Sequence, residues 1–226
     1  LMKKTTLESY SRPRANGIIA LGLREDDRLI RVTLTDGNSQ MLVASYNGKV
    51  VRFPEDTVRP MGRTATGVRA IKLDEDGKDR VIGMICVEQG SKDSVLVISV
   101  LVISEKGFGK RTDLDDENGE PIYRITNRGG KGVKTMNLTD KTGNLIGLEA
   151  VTDEQDLMLI TKSGTAIRMA MDTIRVMGRA TQGVKLIELQ KRNDTLMFGC
   201  VVPKEEQEEV VESAEATAEE ATNAEE

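Results

Sequence analysis

One unit recurs along this chain at an interval of just under sixty residues, and a repeat of that length leaves few folds open. The unit begins with two apolar runs around a tight turn. Gln40-Met-Leu-Val-Ala-Ser45 leads through Tyr46-Asn47-Gly48-Lys49 into Val50-Val51-Arg52-Phe53. The pattern returns at Leu101-Val-Ile-Ser-Glu-Lys106-Gly107-Phe108 and at Leu157-Met-Leu-Ile-Thr-Lys162-Ser163-Gly164-Thr165, which puts the turn glycines Gly48, Gly107 and Gly164 59 and 57 residues apart. Asn-Gly between apolar runs marks a hairpin, because both residues tolerate positive φ. A Gly-rich loop follows each hairpin. Val58-Arg59-Pro-Met-Gly62-Arg63-Thr-Ala-Thr-Gly67-Val68-Arg69 is nearly repeated in Ile174-Arg175-Val-Met-Gly178-Arg179-Ala-Thr-Gln-Gly183-Val184-Lys185. A looser copy runs Ile125-Thr-Asn127-Arg128-Gly129-Gly130-Lys131-Gly132-Val133-Lys134, and the most degenerate is Ser11-Arg12-Pro-Arg14-Ala-Asn16-Gly17-Ile18. Every unit then closes on an apolar strand, at Leu29 to Leu34, Val81 to Val87, Leu145 to Val151 and Leu196 to Val202.

Units of this length, with about four strands apiece, read as a propeller-like array. A single such sheet cannot bury both of its faces, so neighbours must stack. The expected fold is all-β, an array of about four four-stranded blades over residues 1–203. The Trp-Asp and Gly-Gly/aromatic marks of WD and kelch propellers are absent. One oddity sits in the third unit, where Val95-Leu-Val-Ile-Ser99 is followed directly by Val100-Leu-Val-Ile-Ser104. An odd insertion turns every later side chain to the other face of a sheet, so only one copy fits the native register unless the extra residues loop out.

Composition narrows the chemistry. The chain has no His, which removes the usual general base and metal ligand. Cys86 and Cys200 are too few for a disulfide scaffold and lie in apolar runs, so both read as reduced core thiols of a cytosolic protein. No apolar run approaches the length of a membrane helix. Arg128-Gly-Gly-Lys131-Gly132 does not satisfy the phosphate-loop pattern. Tyr10, Tyr46 and Tyr123 lack the acidic metal cluster and partnering Arg that a DNA-cleaving tyrosine needs. The sequence therefore points to binding, with no catalytic or metal-ligating set of its own.

The basic residues recur at two places in each unit. One is just past the hairpin turn: Lys3 and Lys4, Arg52, Lys110 and Arg111, Arg168. The other is the Gly-rich loop: Arg12 and Arg14; Arg59, Arg63 and Arg69; Arg124, Arg128, Lys131 and Lys134; Arg175, Arg179 and Lys185. Repetition is expected to put equivalent residues on one rim, forming a basic belt suited to the regular phosphates of duplex DNA. Arg63, Arg128 and Arg179 hold matched or nearly matched places, and Arg59 and Arg175 form a second matched pair. Aromatics make up only 3% of the chain, which argues against stacking on single strands.

In these loops the sequence resembles the C-terminal domain of the DNA gyrase A subunit, a six-bladed β-pinwheel. The resemblance is carried by Gly48-Lys-Val-Val-Arg-Phe53, Val58-Arg-Pro-Met-Gly62, Thr66-Gly-Val-Arg69, Gly107-Phe-Gly-Lys-Arg-Thr112 and Val176-Met-Gly-Arg179 to Gln182-Gly-Val184. It covers residues 1 to about 203 and would make them roughly blades three to six. The resemblance implies a module that bends duplex DNA around its rim in support of ATP-dependent negative supercoiling. It also implies a parent that cleaves DNA through a tyrosine in an N-terminal domain. That parent would form a heterotetramer with the gyrase B subunits and a second copy of itself, in the cytoplasm at the nucleoid. It would use ATP and Mg2+ elsewhere, with no cofactor in this segment. The family's box, Gln-Arg-Arg-Gly-Gly-Lys-Gly, is matched by Thr126-Asn127-Arg128-Gly129-Gly130-Lys131-Gly132 only in its last five residues. Two alternatives stay open: the C-terminal domain of the topoisomerase IV A subunit, with its degenerate box, and a propeller-like scaffold that binds protein.

From Lys204 to Glu226 the chain holds ten Glu and one Lys, a net −9 against −5 for the whole, which leaves residues 1–203 at net +4. Residues 204–226 are expected to be a disordered acidic tail on a basic body. Removing Glu205 to Glu226 should leave the melting temperature almost unchanged, since the tail has little to bury. Affinity for an anionic partner should stay level or rise. Weaker duplex binding by the truncated chain would contradict the reading.

Overall fold

The computed structural model describes residues 1–75, 77–87, 99–189 and 194–204. The acidic tail and the Val95–Ile98 part of the duplication lie outside them. Among the described residues there are three antiparallel sheets and no helix beyond short 3-10 turns. In the first sheet, β1 (Gln40–Ser45) and β2 (Lys49–Pro54) form a hairpin, and β3 (Val81–Val87) pairs with the free side of β1. In the second, β4 (Ser99–Ser104) and β5 (Phe108–Asp113) form the hairpin. The chain then passes through β6 (Val133–Lys134) before β7 (Leu145–Val151) pairs with β4. In the third, β8 (Gln155–Thr161) and β9 (Ala166–Ala170) form the hairpin, followed by β10 (Val184–Lys185) and then β11 (Leu196–Pro203), which pairs with β8.

The fourth strand of a sheet comes from the next repeat. β6 follows β5 in the chain yet pairs with β2, Val133 opposite Val50. β10 follows β9 yet pairs with β5, Val184 opposite Gly109. The same step is seen at the start of the chain, where Met2 and Val68 exchange backbone hydrogen bonds of 2.9 and 2.8 Å. Each loop also makes a parallel bridge to the same hairpin strand at its beginning, as Lys4–Pro60, Arg52–Ile125 and Arg111–Val176. These approaches explain the last glycine of the three later loops. Gly67, Gly132 and Gly183 have φ of +91°, +72° and +82°. A Cβ at Gly132 would stand 2.5 Å from the Val50 carbonyl oxygen, and one at Gly183 2.7 Å from that of Gly109. No side chain fits there without separating the strands.

Stacking buries both faces of the inner strands. Leu42, Ala44, Val50 and Ile85 of the first sheet pack on Val100, Val102, Leu145 and Leu148 of the second, with Tyr123 and Met136 between them. Leu101, Ile103 and Val151 pack on Leu157, Leu159, Met171, Ile174 and Leu196 of the third. The other face of the first sheet, Met41, Val43, Val51 and Phe53, is covered by Val58, Ala70 and Ile71. β1 and β4 are therefore buried at every position and read as unbroken apolar runs, as strands covered on both faces do.

Four expectations change. Four repeats are present, but they form three sheets of four, four and three strands. Leu29 to Leu34 is not a strand, and Leu29, Ile30, Val32 and Leu34 are exposed. The equivalent strands β3, β7 and β11 each pair with the incoming strand of their own hairpin, and no such strand lies beside Leu29 to Leu34 among the described residues. Among the described residues the third sheet has three strands, β11, β8 and β9. The hairpin turn is also not built on two positive φ values. Gly48 takes φ +78°, whereas among the described residues only Asp26 does so outside glycine. The cysteines are half-buried, Cys86 and Cys200 alike, and form no disulfide.

The second copy of the duplication is the native strand: Val100 to Ile103 are 0–1% exposed and paired on both sides. Ser94 precedes the first copy as Ser99 precedes the second, so deleting Val100–Ser104 restores Ser-Val-Leu-Val-Ile-Ser ahead of Glu105. Every β4 position keeps its residue type. The deletion should leave the melting temperature equal or higher and reduce aggregation, because an uncharged apolar segment has gone. A fall of more than about 5 °C, roughly 1–2 kcal/mol for a chain of this size, would show that the longer β3–β4 connection is required.

Candidate nucleic-acid interface

The two sets of basic residues lie in different environments. In the set past the hairpin turn Arg52, Lys110 and Arg111 face inward, Lys3 and Lys4 are half-buried, and Arg168 is exposed but paired. Arg52 is 6% exposed; its Nε meets Gln40, and its Nη1 donates to the Leu114 carbonyl at 3.1 Å and to Asp115 at 2.9 Å. Arg111 is 6% exposed and donates from Nε to the Ile174 carbonyl at 2.9 Å and from Nη1 to Asp153. Lys4 and Arg168 occupy the same strand position in the first and last repeats and pair with Glu55 at 3.2 Å and Asp156 at 2.8 Å. Arg168 also donates to the Pro203 carbonyl at 2.7 Å. One residue earlier on the strand, Lys110 is fully buried, its Nζ 2.6 and 2.7 Å from the carbonyl oxygens of Gly178 and Arg179. Lys3 reaches the equivalent carbonyls of Gly62 and Arg63. The expectation that Arg52, Lys110 and Arg111 lie on a rim is corrected. A buried cation must be fully paired, and these side chains spend their donors fastening loop to strand.

The loop set faces outward, with one exception in each of the three later loops. The bridges of Pro60, Ile125 and Val176 to the hairpin strands bring three loops into one register. In that register the middle copy begins at Tyr123, two residues before the Ile125 start read from the sequence. Val58, Tyr123 and Ile174 then share one core position, each no more than 1% exposed. Arg59, Arg124 and Arg175 form an exposed column at the start of the loops, and Arg69, Lys134 and Lys185 a second at their end. Sequence comparison matches Arg59 with Arg175 and does not bring Arg124 to them. Counting back eight residues from the glycine of Gly132-Val133-Lys134 finds it. Lys131 is exposed between the columns, as are Arg12 and Arg14 in the first repeat. Lys185 pairs with Glu188 at 2.6 Å and lies 6.0 Å from the centre of the Phe108 ring. Arg63, Arg128 and Arg179 are half-buried, against the expectation that the loop arginines stand free on the surface. Each donates to a main-chain carbonyl of the preceding loop, Ile19 at 2.7 Å, Arg69 at 3.4 Å and Lys134 respectively.

The tyrosines hold structural places. The Tyr123 hydroxyl is buried 2.7 Å from Thr135 Oγ1, Tyr46 donates to Glu105 at 2.9 Å and Tyr10 to the Ala20 carbonyl at 3.1 Å. Among the described residues no cluster of three His, Cys, Asp or Glu side chains is placed to hold a metal ion, and no helix is long and apolar enough to cross a membrane.

A family model described as DNA gyrase C-terminal domain, beta-propeller, matches residues 1–36, 40–88, 99–152 and 155–198. The DNA gyrase A subunit of Staphylococcus aureus strain MRSA252 is 42% identical over 217 residues, 96% of this chain and 23% of the relative. That of strain NCTC 8325 is 44% identical over 189 residues, 84% of this chain and 20% of the relative. The chain thus spans about a fifth to a quarter of the length of these relatives. Among solved structures, a C-terminal domain of DNA topoisomerase IV superposes with a TM-score of 0.76 at 23% identity, covering 89% of this chain and 58% of the other. A DNA gyrase A C-terminal domain superposes with a TM-score of 0.68 at 22% identity, covering 82% and 58%. At those identities the two superpositions speak for the fold.

Burial, with the like charge of Arg179 second, pulls the Lys110 ammonium down from the ordinary 10.5 to about 8. The charged form is disfavoured in the folded protein only. Folding stability therefore gains as pH rises from about 8 toward the ordinary lysine range, where the folded state alone has given up the proton. Carbon-detected NMR of labelled lysine side chains should find one ammonium titrating near pH 8, and Arg179→Met should raise its midpoint. A Lys110 midpoint in the ordinary range would overturn the assignment.

Proposed function

Because the chain belongs to the DNA gyrase C-terminal domain family, we propose that it binds and bends duplex DNA along the edge of its stacked sheets where the Gly-rich loops emerge. The observation that carries this reading is the pair of exposed cation columns in repeat register: Arg59, Arg124 and Arg175 at the loop starts, and Arg69, Lys134 and Lys185 at the loop ends. Duplex DNA presents phosphates at regular intervals, and a regular row of cations neutralises them whatever the base sequence. Lys131, Arg12 and Arg14 add charge to the same loops. Bending over such an edge is the contribution this module would make to negative supercoiling by a longer protein. In that reading strand cleavage, ATP and Mg2+ belong to other parts of a cytoplasmic, nucleoid-associated heterotetramer, built from two copies of that protein and the gyrase B subunits. This segment needs no cofactor.

The fold likeness to a topoisomerase IV domain supports a second reading, in which the same edge serves that enzyme. Both readings put duplex DNA on the loops, and both differ from a protein-binding scaffold in their response to salt. For the double substitution Arg59→Ala and Arg175→Ala, the slope of log affinity against log salt should flatten by roughly 1.8, about 0.9 per phosphate contact removed. Adding Arg124→Ala should flatten it by a further step of about 0.9. Melting should not change, because the three side chains are exposed. A salt titration of duplex binding gives the answer, and an unaltered slope in the triple variant would exclude this edge as the DNA site.

A further inference from the structure

We propose that Arg63, Arg128 and Arg179 are positioning residues that fix the offset from one loop to the next, and so set how sharply the duplex bends, while taking no phosphate themselves. The inference rests on the DNA reading above and assigns those three loop arginines a different role within it.

The geometry recurs three times. In each case Nη1 donates to the carbonyl of the residue two positions past the positive-φ glycine of the preceding loop: Arg63 to Ile19 after Gly17, Arg128 to Arg69 after Gly67, Arg179 to Lys134 after Gly132. Two of the three acceptors are the main chains of the exposed cations Arg69 and Lys134. The guanidinium of one blade therefore holds the phosphate-facing residue of the blade before. A backbone hydrogen bond reinforces each of the last two steps at equivalent positions, Lys72 N–H to the Gly130 carbonyl at 2.8 Å and Asn137 N–H to the Thr181 carbonyl at 2.9 Å.

The arginines are themselves anchored. The Arg63 and Arg179 carbonyls accept from the ammonium groups of Lys3 and Lys110. In the middle loop the lysine position is Val51, and there Arg128 makes an additional bond, Nε to the Thr57 carbonyl at 3.1 Å. A planar fork with several donors suits a link between two main chains. It also explains why these three are half-buried between columns of exposed cations.

The test separates charge from geometry by replacing all three with methionine, which keeps apolar length and removes both the charge and the donors. Duplex affinity is titrated against salt. Wrapping is read as the linking-number change trapped when nicked plasmid is sealed with protein bound. Loop spacing is read without DNA, as the electron-spin distance between labels at the exposed Asn127 and Ala180, with Cys86 and Cys200 replaced by alanine. The expected result is a salt slope equal to wild type, a linking-number change per bound protein reduced by about half, and a broadened label distance. A slope flattened by about 0.9 per arginine would make them phosphate ligands and overturn the proposal. So would an unchanged linking number or an unchanged label distance. If the triple variant melts below the assay temperature, Arg63→Met alone decides by the same readings, with the label pair moved to Ile19 and Thr64, because its acceptor lies in an exposed segment outside the sheets. A wild-type protein whose duplex binding ignores salt would sink the DNA reading, and the label distance would still judge the spacing role by itself.

Discussion

Each complete sheet depends on a short strand delivered by the following repeat. The delivery is possible only because glycine stands where Gly67, Gly132 and Gly183 press against the hairpin strand of the preceding repeat, with φ in the left-handed region. That approach has two consequences. It links consecutive repeats by main-chain hydrogen bonds as well as by apolar packing, so no unit closes by itself. It also holds every loop in the same register on the same edge. The rows of exposed cations follow from how the sheets are completed, and the arginine links from loop to preceding loop act on the spacing within those rows.

The same register explains why similar side chains do different work. On the hairpin strands, Arg52 and Arg111 are surrounded by carbonyls and carboxylates and give up nearly all contact with solvent. Taking such a group out of water is tolerable only when its donors are satisfied, and losing one partner strands the others at a cost of about 1–3 kcal/mol each. A few residues further along, the loop cations at the positions of Arg59 and Arg69 have the bridge and the strand pairing on either side of them and point outward. Between them lies the arginine that reaches back to the previous loop. Within one repeat, then, cations fasten strand to loop, tie loop to loop and leave charge on the surface, in three distinct environments.

How far this is legible varies from element to element. The hairpins at Gly48, Gly107 and Gly164 and the all-β class follow from apolar runs and turn residues, which act locally. The stacking follows from strands that are apolar at every position, since a half-exposed strand would alternate. The expected strand at Leu29 to Leu34 has the right composition and no partner, because pairing is set by what lies beside a strand and composition cannot supply a neighbour. The middle loop reads as starting at Ile125, two residues after the Tyr123 that opens it, since its Asn127 stands where Gly62 and Gly178 stand in the others, although its Arg128 and Gly132 match theirs.

What the sequence by itself determined is the repeat, its all-β character, the absence of histidine-based chemistry and the family resemblance in the Gly-rich loops, all of which rest on local residue pattern. Which cations face outward was decided by the tertiary structure alone. Arg52 and Arg59 are seven residues apart and indistinguishable in charge. One becomes an internal fastener and the other a surface group only when the loop of the following repeat folds over the strand and buries the first beneath that following repeat's carbonyls. Burial of that kind is a property of chain segments some sixty to seventy residues apart, as the Arg52 contacts to Leu114 and Tyr123 are, and no local pattern carries it.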